Sequence, residues 1–216
     1  MTTQLKERPV IFTTEEVSAV LAGNKTHYRV PVLTSEQVAA GYKCCYGVAS
    51  GQVIFTKDES DKSFVEDGYI NVECALGSIG DRLWVQEPTL AIEDVGWIGP
   101  VFVASDAGRN AIDWGYGPYD DPAHIPACEL NYNKPDDLSY EDSRLLLEIT
   151  DIRIERVRDI DAASAEVEGC FDFSGYERLK PRPLSAFITY WMAKHGDDAW
   201  FTNPWVWVIE FKKVND

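Results

Sequence analysis

Gly23, Lys25, Thr26 and Arg29 stand in the pattern G-x-K-T-x-x-R, with His27 and Tyr28 filling the gap before the arginine. A lysine held in a pocket loses its proton more readily when desolvated and can then act as a base, and a neighbouring carboxylate can serve as proton donor. The same residue types also make an ordinary solvated loop after a helix, and on composition alone that is the simpler reading. Other chemical engines are missing from the chain: it has no G-x-x-x-x-G-K-[ST] phosphate loop, no G-x-S-x-G elbow and no H-E-x-x-H zinc helix. His27, His124 and His195 lie far apart, none with a partner at metal-ligand spacing, so neither a metal nor another cofactor is expected. The five cysteines (Cys44, Cys45, Cys74, Cys128 and Cys170) lack C-x-x-C spacing and read as reduced, mostly buried thiols.

The polar cluster has to be positioned by what surrounds it. Residues 9–23, PVIFTTEEVSAVLAG, predict a strand and a short helix, with Thr13 and Glu16 as a capping box and Gly23 at the residue after the C-cap. Residues 31–79, which include the acidic stretch KDESDK, read as an irregular insertion with hairpins. GDRLWVQEP predicts a turn at Gly80-Asp81 and a strand over Leu83 to Val85, stopped by Pro88. Residues 91–142, rich in Gly, Pro and Asp around Trp97, Trp114, Tyr116 and Tyr119, read as a long elaborated loop. RLLLEITDIRIERV at 144–157 alternates apolar and polar residues as one long strand, or two joined at Thr150-Asp151. Asp159 or Asp161 then caps a helix through Glu168 that stops at Gly169. A second helix opens at Pro183, shows Phe187, Tyr190 and Trp191 on one face, and closes at Gly196. PWVWVIEFKKV is the final strand, with Trp205 and Trp207 assigned to its packed walls. Short strands separated by short helices predict a small α+β barrel in one domain.

With 45% hydrophobic and 26% charged residues the 216-residue chain has ordinary globular composition, and no run approaches the length of a membrane span. The N-terminus lacks the features of a secretory signal, so a cytoplasmic location without membrane contact is expected. The net charge of −16 argues against a sequence-independent grip on nucleic acid. More than half of that excess falls in residues 91–142, while residues 1–30 are close to neutral.

Four segments taken together, RPVIFTTEEVSAVLAGNKTHYR, GDRLWVQEP, LLLEITDIRIERVRDIDAASAEVEG and NPWVWVIEFKKV, resemble the ASCH domain. The likeness is strongest to the elaborated ASCH proteins of phages and prophages, and the segments occur in the family's order. The resemblance implies a PUA-like β-barrel with short flanking helices and long acidic insertions at about 31–79 and 91–142, working in a bacterial or phage-infected cell. It also implies recognition of RNA or a modified nucleobase in a cleft. Some small bacterial members are amidohydrolases that remove the acetyl group of N4-acetylcytidine, using a lysine as base, a threonine three residues later as nucleophile and a glutamate as proton donor. Lys25 matches the lysine and Glu168 the glutamate, but Tyr28 stands where the threonine should be, leaving Thr26 as a substitute.

The resulting site assignment is Lys25, Thr26 and Glu168 for catalysis, with Gly23, Tyr28, Arg29, Arg82 and Glu87 around a ligand. Tyr28 reads either as a stacking platform for a base or as a packed wall. Arg29 reads either as a phosphate or carbonyl contact or as the partner of Glu87 or Glu168. Arg82 and Glu87 fit an ion pair equally well. The expected partners are a nucleoside, a modified base or single-stranded RNA, with weak binding to generic duplex DNA. A different class of reading makes 91–142 the docking surface for a basic protein through Asp113, Asp120, Asp121, Asp136 and Asp137.

Overall fold

Reciprocal capping at Thr13 turns the first extended segment into a helix. The Thr13 hydroxyl accepts from the Glu16 N–H at 3.3 Å, and the Glu16 carboxylate accepts from the Thr13 N–H at 2.9 Å. Gly23, with φ of 74°, lies just beyond the C-cap Ala22 in the left-handed conformation that ends helices.

The computed structural model describes residues 5–49, 52–57, 69–92, 100–169 and 182–214. Trp97, Cys170, the acidic residues 58–62 and the side chain of Cys44 lie outside that description. The elements in chain order are β1 (Glu7–Ile11), α1 (Thr14–Leu21), β2 (His27–Pro31), α2 (Ser35–Ala39), β3 (Cys44–Ala49), β4 (Gln52–Thr56), β5 (Tyr69–Glu73), β6 (Arg82–Gln86), β7 (Thr89–Ala91), β8 (Val101–Phe102), α3 (Asp106–Trp114), β9 (Asn131–Asn133), β10 (Leu146–Arg156), α4 (Ala162–Val167), α5 (Pro183–His195) and β11 (Trp205–Lys213). The fold is α+β, and no closed barrel is found among the described residues. Nor is any described helix long and apolar enough to cross a membrane.

The chain divides into two compact units. The first comprises Met1–Lys6, Asn24–Asp81 and Glu148–Lys212. In it β11 pairs antiparallel with β2, setting His27 opposite Glu210 and Arg29 opposite Val208, and β10 is the other neighbour of β11. Val206 through Ile209 are all buried, so both faces of β11 are covered. One of those faces packs under α4 and α5, where Val206 and Val208 join Val157, Ile160, Ala165, Phe187 and Trp191 in a single apolar cluster. Trp207 is buried as a wall residue, while Trp205 is half-buried beneath the Arg156 guanidinium, 4.3 Å from its ring. β10 runs without interruption through Thr150 and Asp151, which resolves the one-or-two-strand alternative in favour of one. The expected irregular insertion at 31–79 holds more order than its broken pattern suggests: α2 and the antiparallel sheet β3-β4-β5, anchored by fully buried Val53 and Phe55.

The second unit comprises Glu7–Gly23, Arg82–Leu147 and Lys213–Asp216. β1 and β6 pair in parallel, Glu7 opposite Arg82. The expected long loop at 91–142 is corrected here, because its described part contains β8, α3 and β9, and β7 lies between β8 and β9 in a small sheet. Leu90, Ile92, Val103 and Ala111 supply an apolar core that the Gly, Pro and Asp content masks in sequence. Asp113, Asp120, Asp121, Asp136 and Asp137 remain on the surface. Of the cysteines, Cys74 is buried, Cys45 half-buried and Cys128 exposed, the last contrary to expectation.

Gly108 shows how tightly α3 is seated. A Cβ there would lie 2.1 Å from the Phe102 carbonyl oxygen. Gly-to-Ala changes inside helices ordinarily stabilise by about 1 kcal/mol. At Gly108 the sign should invert, with Gly108→Ala losing roughly 2 kcal/mol or more through overpacking, readable as a lower urea midpoint.

Candidate functional site

Lys25 and Glu168 are brought together by backbone pairing before their side chains meet. The two residues form an isolated antiparallel bridge. Beside it the Thr26 N–H donates to the Val167 carbonyl and the Phe211 N–H to the Thr26 carbonyl, both at 2.9 Å. Asp161 caps α4 by accepting from the Ser164 N–H at 2.7 Å, and Gly169, with φ of 76°, turns the chain away, so Glu168 occupies the C-cap. A helix end presents carbonyls without intrahelical donors. Lys25 Nζ meets that need, donating to the Glu168 carbonyl at 2.8 Å and to its Oε2 at 3.4 Å.

Arg29 joins the same carboxylate from β2. Its Nη1 donates to Glu168 Oε1 at 2.7 Å and its Nη2 to Glu155 Oε2 at 3.0 Å. The side chains of Lys25, Arg29 and Glu168 are 0%, 1% and 1% exposed, so this is a sealed cluster of two cations on one carboxylate. Arg29 Nε is buried and has no hydrogen-bond partner among the described residues. From Glu155 the network continues outward: Arg153 donates to Glu155 at 2.6 Å and also to Glu210, and Asp151 lies 3.5 Å from Arg153. Glu210 in turn pairs with His27 Nε2 at 3.0 Å, and His27 Nδ1 lies 2.9 Å from the Thr26 hydroxyl oxygen.

Burial by itself pushes the Glu155 carboxyl up, but hydrogen bonds from Arg153 and Arg29 outweigh it and hold the group below its ordinary value of 4.5. For Arg153, burial works against the charge, and the hydrogen bonds it donates to Glu155 and Glu210 override this and raise its affinity for the proton.

Thus Lys25, Arg29 and Glu168 converge as one group, and Thr26 sits beside it, bonded to His27. Tyr28 is buried, its ring 5.3 Å from Lys25 Nζ and 4.7 Å from Lys194 Nζ, which places it in the wall. Arg29 takes Glu168 and Glu155 as partners. Gly23 ends α1 in the second unit, which also contains Arg82 and Glu87. There Arg82 pairs with Glu7 at 3.5 Å, and buried Glu87 receives two hydrogen bonds of 2.8 Å from Arg144. Sequence reasoning passed over Arg153, Glu155 and Glu210. Their signal was the period-two spacing of Asp151, Arg153 and Glu155, which places three charges on one face of a strand. Among the described residues no group of three or more His, Cys, Asp or Glu is placed to hold a metal ion.

Two outcomes follow from this geometry. Glu168→Ala strands two buried cations and should cost about 3–5 kcal/mol in chemical denaturation. Because the Glu155 carboxyl titrates lower in the folded protein, its contribution is complete above about pH 4.5 and is lost as pH falls through the depressed folded value. In Glu155→Gln the fall of melting temperature with acid over that window should therefore be shallower than in the parent.

No family model, curated protein or solved structure matches the chain.

Proposed function

We propose that the chain is an ASCH-type, PUA-like module that recognises a nucleoside or single-stranded RNA bearing a modified base, with the Lys25, Arg29 and Glu168 cluster as its recognition centre. One observation carries the reading. Lys25 and Glu168, 143 residues apart and the two positions the resemblance assigns to chemistry, form a direct buried contact. The cluster is sealed, so entry of a ligand requires its ion pairs to open; Lys25 and Arg29 then supply donors suited to a base carbonyl or acyl oxygen, and the buried Arg29 Nε adds a further one. Glu168 supplies an acceptor for an exocyclic amine. A compact neutral ligand also suits a protein of net charge −16, since recognition by base edges does not require phosphate neutralisation. Generic duplex DNA should bind weakly.

A second reading, hydrolysis of N4-acetylcytidine or a similar acylated nucleoside, is favoured by the 3.4 Å separation of the Lys25 ammonium and the Glu168 carboxylate. That distance permits a proton to pass between the two, with Lys25 as base and Glu168 as acid.

Both readings are tested by presenting the protein with N4-acetylcytidine, measuring binding by calorimetry and product by chromatography. Binding that weakens at least about tenfold in Lys25→Met and Glu168→Gln, with melting curves showing both variants folded, is the expected outcome; tenfold corresponds to about 1.4 kcal/mol, the scale of one lost hydrogen bond to a charged group. Release of cytidine that disappears in the same variants would add the hydrolase. A folded parent protein that neither binds nor cleaves N4-acetylcytidine, other modified nucleosides or short single-stranded RNA would overturn the proposal.

A further inference from the structure

We infer that Thr26, His27 and Glu210 form a nucleophile, base and carboxylate relay that carries acyl transfer from small amides or esters. The inference keeps the hydrolysis proposed above, on which it rests for the identity of the natural substrate, and moves the roles of base and acid from Lys25 and Glu168 to His27. It supplies the nucleophile that Tyr28, buried in the wall, does not provide.

Hydrogen-bond chemistry sets the direction of the relay. Glu210 Oε1, as a carboxylate oxygen, accepts, so the 3.0 Å contact assigns the imidazole proton to His27 Nε2. In the neutral ring Nδ1 is then the acceptor, and the Thr26 hydroxyl, 2.9 Å away, donates to it. Glu210 is itself held by Arg153, whose other hydrogen-bonded partner is Glu155, so the carboxylate that orients the imidazole has a fixed position. The register places His27 directly opposite Glu210 across β2 and β11, making the backbone ladder the source of the contact. Thr26 and His27 are both half-buried, unlike the sealed Lys25 and Glu168, so the relay lies on the side of the network that solvent reaches. A hydroxyl bonded to an imidazole whose far nitrogen is bonded to a carboxylate is the general arrangement for an activated alcohol nucleophile. Here the two ring nitrogens exchange places relative to the serine-protease order, because the nucleophile precedes the histidine by one residue.

In the forward step Thr26 Oγ1 bonds to the acyl carbon while its proton passes to His27 Nδ1. The acyl carbon's bond to nitrogen or oxygen breaks, and the leaving amine or alcohol takes that proton from Nδ1. Water then gives a proton to Nδ1 as its oxygen bonds to the acyl carbon, and Thr26 Oγ1 departs with the proton. The sum is hydrolysis, with every proton returned. Glu210 is a positioning residue that also stabilises the transient imidazolium, against the neighbouring positive charge of Arg153 and alongside Asp151 on β10.

The probe is p-nitrophenyl acetate, used on the full chain so that the outcome does not depend on the nucleoside. Phenolate release is followed over a pH series, and acetylated residues are located by mass spectrometry after acid quench. The expected result is an acetyl group on Thr26, absent in Thr26→Ala and restored in Thr26→Ser. His27→Asn should slow acetylation by about 100-fold or more. Acetylation should also fall in Glu210→Gln and recover in Glu210→Asp, a rescue by the conservative variant that loss of structure alone does not produce. Acetylation confined to lysines in a folded sample, or His27→Asn reacting at the parental rate, would overturn the relay. An acetyl-Thr26 adduct with no binding of any nucleoside would uphold the relay and remove the nucleoside reading instead.

Discussion

Two cationic side chains converge on the buried carboxylate of Glu168, and the organisation of the first unit depends on that convergence. Removing a carboxylate, an ammonium and a guanidinium from water costs several kcal/mol for each ion, and their mutual attraction offsets this only when the remaining donors and acceptors are also satisfied. Lys25 achieves this by reaching both the carbonyl and the carboxylate of one residue, which is available because Glu168 is the C-cap of α4. Arg29 achieves it only in part, dividing its two terminal nitrogens between Glu168 and Glu155 while its buried Nε has no partner among the described residues. Neither arrangement tolerates a register shift in β2 or a longer α4. The side chains therefore constrain the same backbone pairing that delivers them.

Exposure along the network has a direction. Lys25 and Glu168 are sealed, Arg29 is sealed but reaches outward, and Glu155 and Glu210 have side chains 27% and 34% exposed. At the inner end no group can exchange a protein partner for water without leaving another charge unpaired. The outer end can exchange, and it is where Thr26 and His27 stand. Such a division keeps the inner charges preorganised and leaves the outer titratable groups in reach of solvent.

Acid in the second unit is handled differently. Glu87 is buried and receives two parallel hydrogen bonds from Arg144, whose guanidinium also lies 4.2 Å from the Phe102 ring. Tyr140 donates to Glu7, and that bond together with the glutamate's charge makes the phenol harder to ionise. The surface aspartates make local contacts, Asp106 with Arg109 and Asp137 with the Lys134 N–H, and the order of this unit comes from its small apolar cluster and the caps of α3.

Local rules in the chain identified a good part of this. Thr13 with Glu16, Asp161 as a cap, Pro183 and Gly196 bounding a helix, and the alternation through Leu145, Leu147 and Ile149 all act within a few residues, and each appears in the structure as expected. The composition of 91–142 misled because a helix of nine residues with two buried positions needs few apolar residues once neighbouring strands supply the rest of the core. Lys25 and Arg29 could be named from their types and spacing, and Glu168 from the family resemblance, yet their contact could not be derived from these, because it depends on a bridge closing 143 residues of chain. The Thr26, His27 and Glu210 alignment is further from sequence still. Two of its members are adjacent, but the third is selected by which residue of β11 falls opposite His27, and moving the strand by one position would present Ile209 in its place. What the sequence alone determined is the set of elements and the residue types able to do chemistry, because caps and periodicity are short-range. Strand register and burial, which arise only when distant segments pack, decided which of those residues meet and which of them water can reach.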